Sequence, residues 1–141
     1  IDRQTLERAI RSLNQSQLIS ERQNTDGTVT MTLSRDGKKR ALTFRIETMK
    51  IKNPQRWDGM WRVVLFDIPE RQKKAREALR THLTQIGLRE LQKSVFIHPH
   101  PCADEVNFII ELYQLRPFVR QLTATAVDNE IHLKRQFGLP G

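Results

Sequence analysis

Residues 61–80, WRVVLFDIPERQKKAREALR, place one carboxylate, Asp67, at the end of an apolar run and follow it with a strongly basic helical pattern. Asp67 is then either a metal ligand in a nuclease or a residue that closes a strand beside a nucleic-acid-binding surface. In the second case it accepts backbone N–H groups at the start of the basic helix and offsets its positive end. Within the helix, Lys73, Arg76 and Arg80 fall along one side at spacings of three and four, with Arg71 and Lys74 near them. That layout suits successive phosphates. Lys93 and Ser94, at the break in QKSVF, are lesser candidates for the same role. A second cluster is HPHPC: on an extended segment His98, His100 and Cys102 would project to one side, the start of a zinc site. Three ligands leave that site incomplete, and the intervening prolines argue for an irregular edge segment. No lowered pKa that would make Cys102 a nucleophile can be argued from sequence.

The elements that must position these residues are legible from periodicity. MWRVVLFDI reads as a buried central strand stopped by Pro69. A helix follows from Glu70 to about Ile86, with Ala75, Ala78, Leu79, Leu83 and Ile86 inward and Gly87 as its C-cap. LRELQKSVFIHP then supplies one long strand or two short ones, DEVNFIIELYQL a second amphipathic helix, and FVRQLTATAV a last strand. The order β-α-β-(β)-α-β predicts a ferredoxin-like α/β sandwich with one sheet face covered and the other bare and apolar. A homodimer is the economical way to cover it.

Upstream, Leu6, Ala9, Ile10 and Leu13 repeat at helical spacing, with Gln4, Arg8, Arg11 and Gln15 on the opposite face. Leu18 and Ile19 lead to a turn at Asn24–Gly27, and Val29, Met31 and Leu33 alternate as in a strand. Ser34 is placed to cap a helix through GKKRALTFRIETM, which carries Lys38 and Lys39. Helix, hairpin and returning basic helix resemble the back half of a winged helix-turn-helix. That resemblance implies that Gln4, Arg8 and Arg11 face a major groove, while Arg22, Asn24 and Thr25 lie at a wing. The two helices that normally come first are absent, and the chain opens on Ile1 rather than Met, so an incomplete N-terminus is expected. The alternative is a helix-hairpin packing element with a solvated basic face.

The chain divides into 1–49, a partial winged-helix DNA-binding domain; 50–59, a linker marked by Pro54 and Gly59; and 60–141, the ferredoxin-like domain, an α+β fold throughout. Trp57 and Trp61 flank the junction and are expected to anchor the linker rather than stack on bases. Residues 1–59 carry twelve Lys/Arg against seven Asp/Glu, and 60–141 twelve against nine, so both parts are basic. The 141 residues carry a formal net charge of +8 and are 38% hydrophobic. Such a basic excess favours polyanions, with double-stranded DNA the leading partner. No stretch approaches the roughly 18 apolar residues of a membrane span, and IDRQTLERAI lacks a signal-peptide layout, so a soluble cytoplasmic protein without a membrane partner is expected. One cysteine excludes an internal disulfide.

FDIPE, the basic helix, GL and then LQKSVF resemble the CRISPR-associated protein two family, the small ferredoxin-fold partner in spacer acquisition. WDGMWRVVLFDIPE with SVFIHPHPCADEV and a closing DNEIHLKRQFGL resembles more closely the central domain of the PaaX-type transcriptional repressors, which carry that fold behind a winged helix. The second resemblance implies a dimeric DNA-binding regulator that needs no cofactor for binding. The first implies a metal-dependent endonuclease or a DNA-bridging subunit with an integrase partner. There Asp67 would bind Mg2+ or Mn2+ at a dimer axis, since one carboxylate per chain is poor for such an ion.

Overall fold

In the computed structural model, residues 3–16, 22–23, 29–30, 35–54 and 56–140 are described, with side chains for 3–12, 37–54 and 56–140. They fall into two compact units, Ile1–Met49 and Lys50–Gly141.

In the first unit, helix α1 (Arg3–Ser16) buries Leu6 and Ile10, and helix α2 (Arg35–Thr48) packs against it with Ile46 buried. An ion pair between Arg3 and Glu47, 3.4 Å, joins the two helices at the surface. Between them in sequence, β1 (Arg22–Gln23) and β2 (Val29–Thr30) pair antiparallel, Arg22 opposite Thr30 and Gln23 opposite Val29. The turn at Asn24–Gly27, the wing residues Asn24 and Thr25, the alternation at Met31 and Leu33, the lead-in at Leu18 and Ile19 and the Ser34 cap lie outside the described residues.

The second unit is built around β3 (Trp61–Phe66), flanked by β5 (Val95–His98) and β6 (Val119–Ala124), with β4 (Arg89–Gln92) outside β5. All neighbours are antiparallel and the order is β4-β5-β3-β6. Helices α3 (Lys73–Ile86) and α4 (Ala103–Leu112) make the two β-α-β crossovers, each skipping one strand, which is the ferredoxin-like arrangement. The apolar run in β3 arises because both of its faces are covered. On one face Phe66 stacks on Phe96 at 6.0 Å, and the apolar stripes of α3 and α4 are buried with them. At the end of α3, Gly87 takes φ 121°, and the N–H of Leu88 returns to the Leu83 carbonyl at 3.0 Å.

Three expectations change. The helix from Glu70 is broken: a 3-10 turn, Glu70–Gln72, precedes α3, because Gln72, at φ −113° and ψ 29°, leaves helical geometry between them. The second sheet face is not bare, because helix α5 (Glu130–Gln136) and the segment after it lie on it. There Trp61, Val63, Ile97 and Leu133 form a core, edged by Trp57, Phe137 and Leu139. Finally, HPHPC leaves an inner strand rather than an edge, and His98, His100 and Cys102 are all buried.

Residues 50–59 contribute to this unit. Ile51 is buried and its N–H donates to the Ile86 carbonyl at 3.4 Å. Trp57 packs on Trp61 with ring centroids 4.9 Å apart and donates its indole N–H to the Met60 carbonyl at 2.8 Å. Trp61 donates its own to Glu130 Oε1 at 2.8 Å. Both indoles are thus anchored in the unit.

Candidate nucleic-acid interface

Burial on one side and charge on the other put α1 in a position to meet a polyanion. Leu6 and Ile10 face α2, while Gln4, Arg8 and Arg11 are exposed on the opposite side of the helix. Arg8 and Arg11 have no ion-pair partner among the described residues. Arg22 pairs with Thr30 in the two-stranded ladder, and its side chain lies outside the described ones. Lys38 and Lys39, in the first turns of α2, are half-buried.

In the second unit the basic run divides by partner. Arg76 reaches Glu70 at 3.2 Å and Glu77 at 3.7 Å, and also donates to the Ile68 carbonyl at 3.3 Å. Arg80 reaches Glu90 on β4 at 2.9 Å and Glu77 at 3.8 Å, with its guanidinium 5.7 Å from the Phe96 ring centroid. These two arginines are tied to the fold by carboxylates. Arg71, Lys73, Lys74 and Lys93 are exposed, with no ion pair among the described residues. Glu77 was the missed residue: it sits on the helix side of Lys73 and Arg80, one residue from Arg76, and neutralises part of the track. Arg120 stands exposed on edge strand β6.

Asp67 is exposed, and its backbone N–H donates to the Phe118 carbonyl at 2.9 Å. Its carboxylate engages no described group, so the expected helix cap is not made; Pro69 stands at the start of the 3-10 turn. Among the described residues no three His, Cys, Asp or Glu side chains gather where they could hold a metal ion. One exposed carboxylate per chain offers too few oxygen donors to hold a magnesium ion by itself.

Within HPHPC the His98 side chain is engaged internally. His98 Nδ1 accepts the His100 N–H at 3.0 Å, and burial lowers the His98 pKa to about 4. Burial raises the Cys102 thiol to about 11, which removes a thiolate nucleophile at neutral pH. Nearby, Arg62 donates to Asp58 at 2.9 Å and to the Pro99 carbonyl at 2.8 Å, and this guanidinium holds Asp58 down to about 2. His82, packed between α3 and α4, shares a 2.6 Å hydrogen bond with the Tyr113 hydroxyl. Burial lowers the His82 pKa to about 4 and raises that of Tyr113.

The profile of the PaaX protein central Cas2-like domain matches residues 54–135, which is more than half of the chain. The chain belongs to the PaaX family. The matched span covers the four-stranded sheet, both crossover helices and most of α5, so the PaaX-type domain coincides with the second unit. No curated protein and no solved structure matches the chain. Among the described residues no helix is long and apolar enough to cross a membrane.

Proposed function

We propose that this chain acts as a PaaX-type transcriptional regulator: a homodimer that binds double-stranded DNA, reading bases with α1 and holding the phosphate backbone with cations of both units. The family match carries the regulator reading. What supports DNA as the partner is the set of exposed cations without carboxylates: Arg8 and Arg11 on α1, and Arg71, Lys73, Lys74 and Lys93 in the second unit. The order helix, two-stranded ladder, helix in the first unit supports a winged helix. In the second unit, the sheet face beyond α5 leaves Leu65 and Val95 half-buried and Leu122 46% exposed, a surface a second copy would cover.

The test is binding to the protein's own upstream DNA across a salt series. Lys73→Ala/Lys74→Ala is expected to flatten the dependence of log affinity on log salt by about 0.9 for each phosphate that is no longer neutralised. Arg8→Ala/Arg11→Ala is expected to reduce preference for upstream over random duplex by about 1–3 kcal/mol per base pair read. Arg76→Ala is expected to lower stability and leave the salt slope close to the parent's. A random duplex that competes as well as the upstream sequence would remove the regulator reading, and sedimentation as a monomer would remove the dimer. Asp67→Ala should leave binding intact. Mg2+- or Mn2+-dependent cleavage abolished by that substitution would instead establish the nuclease alternative.

A further inference from the structure

The two edges of the four-stranded sheet differ in how they meet solvent. β4 is four residues long, its register with β5 shifts between Glu90 and Gln92, and Glu90 is tied to Arg80 at 2.9 Å. A short, irregular, charged edge is a poor template for another strand. β6 has none of these protections. All six of its residues, VRQLTA, pair with β3 in unbroken register, with no proline and with Arg120 as the one charge. Arg120, Gln121, Leu122 and Thr123 are exposed, and β6 ends the sheet among the described residues.

The register fixes which backbone groups stay free. The Asp67 N–H donates to the Phe118 carbonyl, while the Phe66 N–H turns the other way, to the Ser94 carbonyl beside β5. Antiparallel ladders alternate, so Arg120, Leu122 and Ala124 turn their main-chain groups to β3, and Val119, Gln121 and Thr123 turn theirs outward.

Those outward residues are complementary to themselves. When two copies of β6 run antiparallel about a two-fold axis through Gln121, that residue faces Gln121 of the partner subunit, and Val119 faces Thr123 of the partner subunit. Each such pair exchanges both N–H···O bonds, so every outward group is matched. Arg120 then lies opposite Leu122 of the partner subunit, on the sheet face that carries Leu65, and its aliphatic stem covers a leucine that is 46% exposed in the single chain. Moving the axis to Arg120 sets two guanidinium groups opposite each other and offers Thr123 to Pro117, which has no N–H. Moving it to Leu122 leaves Val119 opposite Thr125, past the end of the strand.

We infer that two copies of this chain join edge to edge through β6, in the register centred on Gln121, and so make one continuous sheet. This rests on the homodimer proposed above and adds where its halves meet.

Sedimentation of the whole protein is the first measurement. Gln121→Pro removes an N–H that the β3 ladder does not use, so the variant keeps its fold, as circular dichroism will report, while the pairing loses its centre. Its dimer is expected to be weaker than the parent's by about tenfold or more. Gln121→Cys is the second variant and decides the matter even if the proline variant does not fold. Facing Cα atoms in such a pair lie about 5.5 Å apart, within disulfide reach, so mild oxidation should link two copies. Leu91→Cys, on the β4 edge, should stay unlinked, as should the parent, whose Cys102 is 3% exposed. A parent that sediments as a monomer would remove the homodimer and the pairing together. A folded Gln121→Pro chain that dimerises like the parent, or a Gln121→Cys chain that links no better than Leu91→Cys, would remove the pairing and leave the homodimer standing.

Discussion

Trp61→Ala is expected to cost about 3–5 kcal/mol of stability in the second unit. Trp61 is 0% exposed, at the start of the central strand, and it is the largest side chain of the core formed with Val63, Ile97 and Leu133. Its removal opens a cavity under α5 and leaves the Glu130 carboxylate without the indole N–H that it accepts at 2.8 Å. A loss of that size is a large fraction of the roughly 5–15 kcal/mol that holds a domain together. Urea unfolding followed by circular dichroism measures it. Hydrogen exchange should show α5 losing protection along with the sheet. Trp61→Phe, which keeps a ring and loses the hydrogen bond, should fall well short of the alanine variant. A cost below about 1 kcal/mol in Trp61→Ala would mean that the α5 side contributes no real core.

Acidification should destabilise the same unit well before its carboxylates protonate. His82 and His98 are buried, and burial holds both near pKa 4, against 6.5 when unfolded. The unfolded chain therefore binds protons between pH 6.5 and 4 that the folded chain refuses. Their contribution is fully present above pH 6.5 and is lost as pH falls through that window. Each histidine adds a slope of up to about 1.4 kcal/mol per pH unit, and on the order of 2–3 kcal/mol over the whole window. The geometry gives the same direction. Protonating His98 at Nδ1 exchanges the 3.0 Å bond it accepts from the His100 N–H for a longer one, 3.3 Å, donated to the His100 carbonyl, and places a charge close to the Arg62 guanidinium. Asp58, held down to about 2 by that guanidinium, keeps its ion pair through this range. Urea unfolding at several pH values, read by tryptophan fluorescence, should give this slope, and His82→Gln should remove about half of it. A stability flat from pH 7 to 4.5 would show that the buried imidazoles are solvated after all.

Much of the second unit could be read along the chain, because local signals there agree with the fold. The apolar run of β3, the stop at Pro69, the stripe of α3 and the Gly87 cap are each complete within a few residues. α5 could not be read in the same way. Leu133 is its one buried residue and Ile131 is 66% exposed, so no amphipathic stripe announces a helix that nonetheless covers a sheet face. The candidate site was half legible for a related reason. The cations of α3 are visible as a run, but which of them remain unpaired depends on Glu90, ten residues from Arg80 and on strand β4. Glu77 was within reach, since its three-residue spacing to Arg80 is a local pattern. The three buried histidines defeat sequence rules for the opposite reason: polar side chains are counted as exposed unless a tertiary partner is known.

The shared aromatic cluster at the two ends of the second unit has a mechanical consequence. Chain ends usually fray independently, each at little cost. Here Trp57 on the leading segment and Phe137 on the trailing one both rest on Trp61, so peeling either away exposes the support of the other. The two segments act as a clasp, and a pull on one end of the unit is felt at its opposite terminus.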